Sequence, residues 1–288
     1  MREHIVDRLL LEHRAAMSLS AVPRPFLRWA GSKRAHLHHL LDLLPGSFNT
    51  YWEPFLGSGA LFFLLRPHRA VLSDACGPLV STFRAVRDGP EAVLRQLGQP
   101  KVDKDSYYRL RAAQPPDRFG RAAQFIYLNK TCWNGLYRVN SEGRFNVPYG
   151  RPKTDNIVEP ANLRACSAAL RREGVHLAVH DFAAALDGVG RGDLVYLDPP
   201  YVTRHNNNGF VDYNEKLFSW RDQERLARLA NGLVRRGAHV LVSNADHDDV
   251  VALFAQFRHV PFSRSSTLAS DATKRGQVRE ALFVAKGR

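Results

Sequence analysis

Cysteine and long apolar runs are both scarce in this 288-residue sequence. The three cysteines, Cys76, Cys132 and Cys166, are odd in number and lack metal-ligand spacing, which excludes a disulfide framework and favours a reducing cytoplasm. No apolar run approaches the ~20 residues that span a bilayer. The charged N-terminus also lacks the apolar core of a signal peptide. We therefore expect a cytoplasmic protein with no membrane partner and no bound metal.

Acidic residues are scarce as well, with 28 Asp and Glu against 41 Lys and Arg, so the net charge is +13. The surplus is concentrated between Lys101 and Lys153, where eleven basic residues face four acidic ones. Such a balance favours a polyanionic partner, either nucleic acid or an anionic membrane surface. Solubility alone is the remaining explanation of the charge.

Strand-like and helix-like segments alternate along the chain, which predicts an α/β fold with a doubly wound, mostly parallel sheet. Strands are expected in "FNTYWE", "AVLSD", "HLAVHDF", "DLVYLDPPY" and "AHVLVSN", followed by two C-terminal strands in "HVPFSRS" and "REALFVAKG". A helix is expected in "SWRDQERLARLANGLVRRG", and it begins with a capping box formed by Ser219 and Asp222. A basic, mainly helical segment that ends in an Asn-, Gly- and Arg-rich stretch interrupts this rhythm and indicates an insertion.

The stretch "EPFLGSGA" follows the first expected strand and opens a helix, where glycines let a ligand approach the backbone closely. Asp74 ends the next strand, 21 residues after Glu53, which suits an acid that binds ribose hydroxyls. NAD, FAD and AdoMet all fit this spacing. The missing third glycine argues against a pyrophosphate, and a purely structural turn is the alternative.

Asp198, Pro199, Pro200 and Tyr201 follow a buried strand directly, at the edge of the sheet where parallel sheets bind ligands. The exocyclic amine of a base is a poor nucleophile until both N–H groups find acceptors. The Asp198 carboxylate and the Pro199 carbonyl, held by a stiff Pro-Pro backbone, supply two such acceptors. Tyr201 offers an aromatic face for a base flipped from the duplex. These residues predict transfer of a group to a base amine.

Five motifs in order, "FLRWAGSK", "EPFLGSGA", "LSD", "NGLYRVNSEGRFNVPYGR" and "DLVYLDPPY", resemble the Dam-like DNA adenine-N6 methyltransferases in which the cofactor motif precedes the catalytic one. The resemblance runs from about Pro25 to near the C-terminus. It implies a Rossmann-like AdoMet-dependent methyltransferase domain over 24–82 and 154–288. It also implies an inserted DNA target-recognition domain with a hairpin over 83–153, while 1–23 form an N-terminal amphipathic helix or extension.

The resemblance assigns roles residue by residue. The catalytic residues are expected to be Asp198, Pro199, Pro200 and Tyr201. The expected AdoMet contacts are Trp29, Ala30, Gly31, Lys33, Glu53, Pro54, Phe55, Gly57, Ser58, Gly59, Asp74, Asp181, Phe182 and Asp198. The expected DNA contacts are Arg28, Asn134, Leu136, Arg138, Asn140, Pro148 and Arg151. Arginine forks and asparagine amides are the side chains that read guanine and adenine edges, so residue chemistry agrees.

The target expected from the resemblance is a short duplex motif that contains GA, with GATC favoured. Residue 28 is Arg, whereas GATC-methylating relatives usually carry Lys there, and arginine can bind guanine through two hydrogen bonds. The expected partners are double-stranded DNA and a cognate restriction enzyme. The protein is expected to be a monomer in solution. The expected location is the cytoplasm, in association with the nucleoid, as for an enzyme of bacterial or phage type.

Four other classes of protein are alternatives to an adenine-N6 DNA methyltransferase. A cytosine-C5 enzyme needs a cysteine nucleophile, typically after proline, and no cysteine here follows a proline. Cytosine-N4 enzymes usually carry Ser in place of Asp198, and protein or RNA enzymes of related fold usually carry Asn there. A catalytically silent DNA-binding regulator on a methyltransferase scaffold is the alternative from a different class. Every residue that the chemistry requires is present, which favours an enzyme.

Overall fold

The structure, a computed structural model, describes residues 22–29, 40–202, 218–265 and 277–287. Ala30, Gly31 and Lys33 lie outside the described residues, as does almost all of the expected N-terminal helix. The chain divides into two compact units. The first contains Met1–Asp42, Leu56–His68 and Asp74–Val179, and the second contains Leu43–Phe55, Arg69–Ser73 and His180–Arg288. The predicted boundaries of a recognition insertion stay a prediction.

Seven strands form one sheet in the described residues, in the order β3-β2-β1-β4-β5-β7-β6. The strands are β1 Tyr51–Glu53, β2 Ala70–Asp74, β3 Val175–Val179, β4 Leu194–Leu197, β5 His239–Ala245, β6 Arg258–Ser265 and β7 Gln277–Ala285. The pairs β1–β2, β1–β4 and β4–β5 are parallel, whereas β5–β7 and β6–β7 are antiparallel. The predicted α/β fold with a doubly wound, mostly parallel sheet is confirmed.

The helices follow the strands as the sequence pattern indicates. Those of the first part are α1 Ala60–Leu65, α2 Gly77–Asp88, α3 Pro90–Leu97, α4 Lys104–Ala112 and α5 Arg118–Thr131. Those of the second part are α6 Pro160–Leu170, α7 Phe182–Ala185, α8 Trp220–Arg235 and α9 Asp248–Leu253. No helix in the described part of the chain combines the length and apolar character that crossing a bilayer requires.

Local capping explains where several helices begin. Ser219 accepts a hydrogen bond from the Asp222 backbone while the Asp222 carboxylate accepts from the Ser219 backbone, so the predicted capping box of α8 is confirmed. Asp103 and Asp117 are simple N-caps of α4 and α5, each carboxylate accepting a backbone N–H of its first turn. These caps satisfy donors that a helix start otherwise leaves open.

An apolar core of the second unit lies between α8 and one face of the parallel strands. Val195 and Leu197 of β4 and Val240 of β5 are at most 1% exposed and belong to one apolar cluster with Leu226 of α8. At the amino end of β4, the buried Asp193 carboxylate accepts from the Thr50 backbone, the Trp52 indole and the Gly190 backbone. This carboxylate therefore ties β4 to the chain that enters β1.

Candidate active site

The chain direction reverses across the sheet between β1 and β4. From β1 the chain runs outward through β2 and β3, and it returns to β4 and then β5 on the other side. Such a reversal is the topological switch point of a doubly wound sheet, and ligands bind beyond the carboxyl ends of the strands there. Glu53 ends β1, and Asp198 directly follows β4. The strands β1 and β4 pair in parallel. The structure thus brings the two strand ends that carry predicted site residues side by side.

A buried polar layer underlies Asp198 in the second unit. Glu53 is 2% exposed, and Tyr51 and Tyr196 are also buried. Burial, reinforced by the charges of Glu53 and Asp198 respectively, raises the pKa of Tyr51 and of Tyr196 well above the ordinary value. Both phenols therefore stay protonated and neutral near Asp198 at physiological pH.

Tyr201 is half-buried and is fixed by its hydroxyl group. The hydroxyl donates to the Glu280 carboxylate at 3.3 Å, and its oxygen lies 2.8 Å from the Ser243 hydroxyl. Ser243 on β5 and Glu280 on β7 are fully buried. Sequence reasoning missed both residues, although a single acid within the apolar strand sequence "REALFVA" was a usable signal. The aromatic ring is consequently held from its polar end.

Asp181 and Phe182, the predicted adenine contacts, lie where β3 leads into α7. The Phe182 ring stacks on Phe55 at 5.5 Å between centroids and also contacts Phe218. The Arg225 guanidinium lies 4.5 Å above the Phe182 ring and forms two hydrogen bonds with the Asp181 carboxylate. The structure brings Phe55, Asp181 and Phe182 together, and it adds Phe218 and Arg225, which the sequence did not indicate.

The charge state of Asp181 is set by these neighbours. Partial burial acts to raise the pKa, but the hydrogen bonds and charge of Arg225, with a backbone N–H of Ala183, outweigh it and lower the pKa. Asp181 also caps α7 through that N–H. The carboxylate is therefore ionised at neutral pH and oriented from two sides.

The glycine loop belongs to the first unit and is tied to Asp74. Gly57 has φ +47° and Gly59 φ +66°, left-handed conformations that glycine adopts without steric cost. The Gly57 N–H donates to one Asp74 oxygen at 3.1 Å, and the Cys76 N–H donates to the other at 2.9 Å. A Cβ on Gly57 would lie 2.8 Å from Cδ1 of Trp29, so the indole covers the loop.

Asp74 is predicted to bind ribose hydroxyls, and its environment bears on that role. Burial raises the pKa of this carboxyl group, and the two backbone hydrogen bonds lower it by less. Each carboxylate oxygen has a second lone pair beyond the one that accepts its backbone N–H. Asp74 can therefore order the glycine loop and still accept from a hydroxyl.

These residues fit AdoMet, judged by their donor and surface chemistry. In the second unit, stacked phenylalanines beside an oriented carboxylate suit a purine ring with an exocyclic amine. In the first unit, a loop with two left-handed glycines and a carboxylate suit the polar half of a nucleoside. Within the described residues, no group of three or more His, Cys, Asp or Glu side chains is arranged to hold a metal ion.

A short hairpin carries Arg138 and Asn140, two of the seven predicted DNA contacts. Antiparallel bridges join Cys132 to Tyr149 and Val139 to Phe145. The Asn140 side-chain oxygen accepts from the Glu142 and Arg144 backbones, so it shapes the turn at the tip. The exposed Arg138 donates from Nε to the Asn146 side chain at 2.8 Å. A two-stranded antiparallel ribbon is one of the elements that a major groove admits.

The other predicted DNA contacts lie at the base of this hairpin and beside it. Asn134, in the 3₁₀ turn Trp133–Gly135, and Arg151 adopt left-handed φ values of 53° and 49°. The Pro148 carbonyl accepts from the Trp133 backbone at 2.9 Å. Arg28 is exposed, and its backbone is held by the buried Asn129, a residue that sequence reasoning did not single out.

Comparison with known proteins gives a consistent result. The family model described as D12 class N6 adenine-specific DNA methyltransferase matches residues 29–267. The type II methyltransferase M1.LlaDCHI of Lactococcus lactis subsp. cremoris is 34% identical over 272 residues, which cover 92% of this chain and 96% of that protein. M.MjaIII of Methanocaldococcus jannaschii is 35% identical over 249 residues, covering 78% and 86% of the two chains. The DNA adenine methylase of Escherichia coli is 33% identical over 229 residues, covering 77% and 81%.

The family match spans more than four fifths of the chain, including the glycine loop, Asp74, the hairpin and the tetrapeptide after β4. The predicted resemblance to adenine-N6 enzymes is thereby confirmed, and with it the α/β methyltransferase fold. The chain belongs to the D12 class of N6 adenine-specific DNA methyltransferases.

Proposed function

We propose that this adenine-N6 methyltransferase acts on a short duplex motif containing GA, with GATC as the first candidate, and that the target adenine is flipped out of the helix. The observation that carries the proposal is the position of Asp198 to Tyr201 at the switch point of the sheet, beside the strand that leads into the glycine loop. A base inside a stacked duplex cannot reach such a strand end, so extrusion is required.

Asp198 and Pro199 are proposed to accept the two hydrogens of the adenine N6 amine. With both N–H bonds engaged, the nitrogen lone pair is less delocalised into the ring and becomes available for bond formation. The phenols of Tyr51 and Tyr196 stay neutral, so they add no negative charge beside Asp198. A hydrogen bond from an amine to a carboxylate is charge-assisted and therefore strong. AdoMet, when bound, supplies the methyl group that this nitrogen receives.

Tyr201 is proposed to stack on the flipped adenine. Support comes from the anchored hydroxyl, which fixes the ring without using its face. A preset ring lowers the entropy cost of ordering the base against it. Base stacking on an aromatic side chain contributes roughly 1–3 kcal/mol.

The proposed cofactor contacts divide by chemistry. Phe55 and Phe182 offer an apolar face for the adenine ring of AdoMet, and Asp181 offers an acceptor for its amine. The backbone of Gly57 to Gly59 and the Asp74 carboxylate are suited to the polar part of the nucleoside. Trp29 closes over the loop on its own side.

The proposed DNA contacts are Arg28 and the hairpin residues, supported by exposed basic and amide side chains. Arg28 can bind guanine through two hydrogen bonds in the major groove, which supports a target with GA. The surplus of basic residues between Lys101 and Lys153 favours contact with phosphates. The type II names of two relatives support the further proposal of a cognate restriction enzyme acting on the same cellular or phage DNA.

The test is the variant Asp198→Asn. Its matched control is Asp187→Asn, because Asp187 is an exposed acid that follows α7. Single-turnover methyl transfer to a GATC-containing duplex should fall by about 10²- to 10⁴-fold in Asp198→Asn, the range for a positioned proton acceptor. AdoMet and DNA affinity should change little, and the control should match the parent enzyme. Retained turnover in Asp198→Ala, which also removes the acceptor oxygen that asparagine keeps, would remove Asp198 from the chemistry.

A further inference from the structure

The buried side chain of Asn129, on α5, joins two segments that carry predicted DNA contacts. The Arg28 backbone N–H donates to Asn129 Oδ1 at 2.7 Å. Asn129 Nδ2 donates to the Arg28 carbonyl at 2.5 Å and to the Gly135 carbonyl at 3.3 Å. One amide thus uses its acceptor and its donors to bracket residue 28 and to reach the turn that contains Asn134.

Gly135 brings the same two segments into close contact from the other side. It has φ +65°, and a Cβ there would lie 2.9 Å from Arg28 Cβ and 3.0 Å from the Arg28 carbonyl oxygen. No side chain fits in that space without moving residue 28. The turn at Trp133–Gly135 and the Arg28 backbone therefore have a fixed separation.

The residue after Arg28 is also held. The Trp29 ring packs against both Phe125 and Tyr137, with centroid separations of 6.4 Å and 6.1 Å and interplanar angles of 21° and 19°, and those two rings also contact each other at 5.5 Å. The backbone is consequently fixed at two consecutive residues while the Arg28 side chain stays exposed. An exposed guanidinium on a fixed backbone suits a contact whose position matters.

We propose that Asn129 is a specificity-determining positioning residue, which sets the place of the Arg28 guanidinium relative to Asn134 so that both reach their base edges together. This inference rests on the proposed DNA contacts of Arg28 and the hairpin. Asn129 is 3% exposed and lies behind these residues, so it acts through them and does not touch DNA. A bidentate arginine–guanine contact requires two aligned hydrogen bonds, and it loses discrimination when its backbone shifts.

The experiment compares Asn129→Ser with Arg28→Ala on the target duplex and on duplexes with each single base pair changed. The readout is the ratio of kcat/KM between the target and each changed duplex. In Arg28→Ala the ratio should fall by about 10- to 100-fold at the base pair that Arg28 reads. In Asn129→Ser it should fall by a similar factor at that same base pair, with AdoMet affinity within about twofold of the parent.

Two companions separate positioning from general loss of structure. Gln124→Ala removes a half-buried side-chain amide on the same helix. This amide donates to the Leu110 and Ala113 carbonyls, both at 2.7 Å, and makes no contact with residue 28 in these bonds. The substitution should lower the melting temperature and leave every discrimination ratio unchanged. Gly135→Ala disturbs Arg28 through its new Cβ while it keeps the Asn129 side chain, and it should reproduce the loss at the Arg28 base pair even if Asn129→Ser folds poorly.

The double variant Arg28→Ala with Asn129→Ser gives the sharpest result. If Asn129 acts through Arg28, the double variant should discriminate no worse than Arg28→Ala alone. If Asn129→Ser and Gly135→Ala keep full discrimination while Arg28→Ala loses it, Asn129 has only a structural role and the inference is overturned. If Arg28→Ala itself keeps full discrimination, the proposed Arg28 contact fails, and the inference fails with it for that separate reason.

Discussion

Replacing Tyr201 by phenylalanine removes the hydroxyl that anchors the ring and keeps the ring itself. Two hydrogen bonds are lost, one with Ser243 at 2.8 Å and one with Glu280 at 3.3 Å. The partners are fully buried, so water cannot replace the lost hydroxyl freely. The substitution therefore separates anchoring of the ring from the proposed stacking on adenine.

The magnitude follows from the two bonds. A neutral hydrogen bond contributes about 0.5–1.5 kcal/mol and one to a charged group about 1.5–3 kcal/mol. The bond to Glu280 is long, so we take the lower end for it. The free energy of unfolding should drop by roughly 2 kcal/mol. If the lost anchoring raises the activation free energy of methyl transfer by about 1.4 kcal/mol, kcat falls about tenfold.

Tyr201→Ala removes the ring as well, which should weaken binding of the flipped base by a further ~1–3 kcal/mol. The assay is the fluorescence of 2-aminopurine at the target adenine, which rises when the base leaves the stack. We expect Tyr201→Phe to bind the extruded base nearly as well as the parent, and Tyr201→Ala to bind it poorly. Ser243→Ala is the matched control, because it removes one anchor without changing the ring. Equal losses in Tyr201→Phe and Tyr201→Ala would refute the stacking role.

Three further predictions concern the glycine loop, the sheet and the thiols. Gly57→Ala should weaken AdoMet binding by more than about tenfold in calorimetry, because the new Cβ meets the Trp29 ring at a left-handed φ; unchanged affinity would contradict the assigned loop. Asp193→Ala should lower the free energy of unfolding in urea by about 3 kcal/mol, since three partly buried donors lose their acceptor, and a loss under about 1 kcal/mol would be too small for that role. Iodoacetamide at pH 8 should label no cysteine of the folded protein and every cysteine in urea, because burial raises the pKa of each thiol to about 12; rapid native labelling would show an exposed thiolate at Cys76, Cys132 or Cys166.

The sequence predicted those features that local chemistry encodes. The strand before Asp198 is continuous and apolar, so its burial follows directly from composition. The capping box at Ser219 depends on two residues three positions apart, and it lies where expected. Asp74 at the end of β2 was likewise readable, because strand patterning and a terminal acid occur in one short stretch.

The contacts that sequence reasoning missed join residues far apart in the chain. Arg225 pairs with Asp181 across 44 positions, and Glu280 meets Tyr201 across 79. Asn129 and Arg28 are 101 positions apart. Such pairs depend on how elements pack, and periodicity within one element carries no information about a distant partner. Asp181, a residue predicted to contact the cofactor, therefore also forms an ion pair within the protein, with Arg225.

Modified-base sequencing of plasmid DNA from a methylation-free bacterial host tests the central claim most directly. The parent chain and Asp198→Asn would be expressed in parallel, at matched levels of folded protein that binds AdoMet. The account predicts N6-methyladenine confined to one short motif containing GA in the parent, and none above background in the variant. Unmodified DNA, methylcytosine, or equal adenine methylation by the two proteins would contradict it.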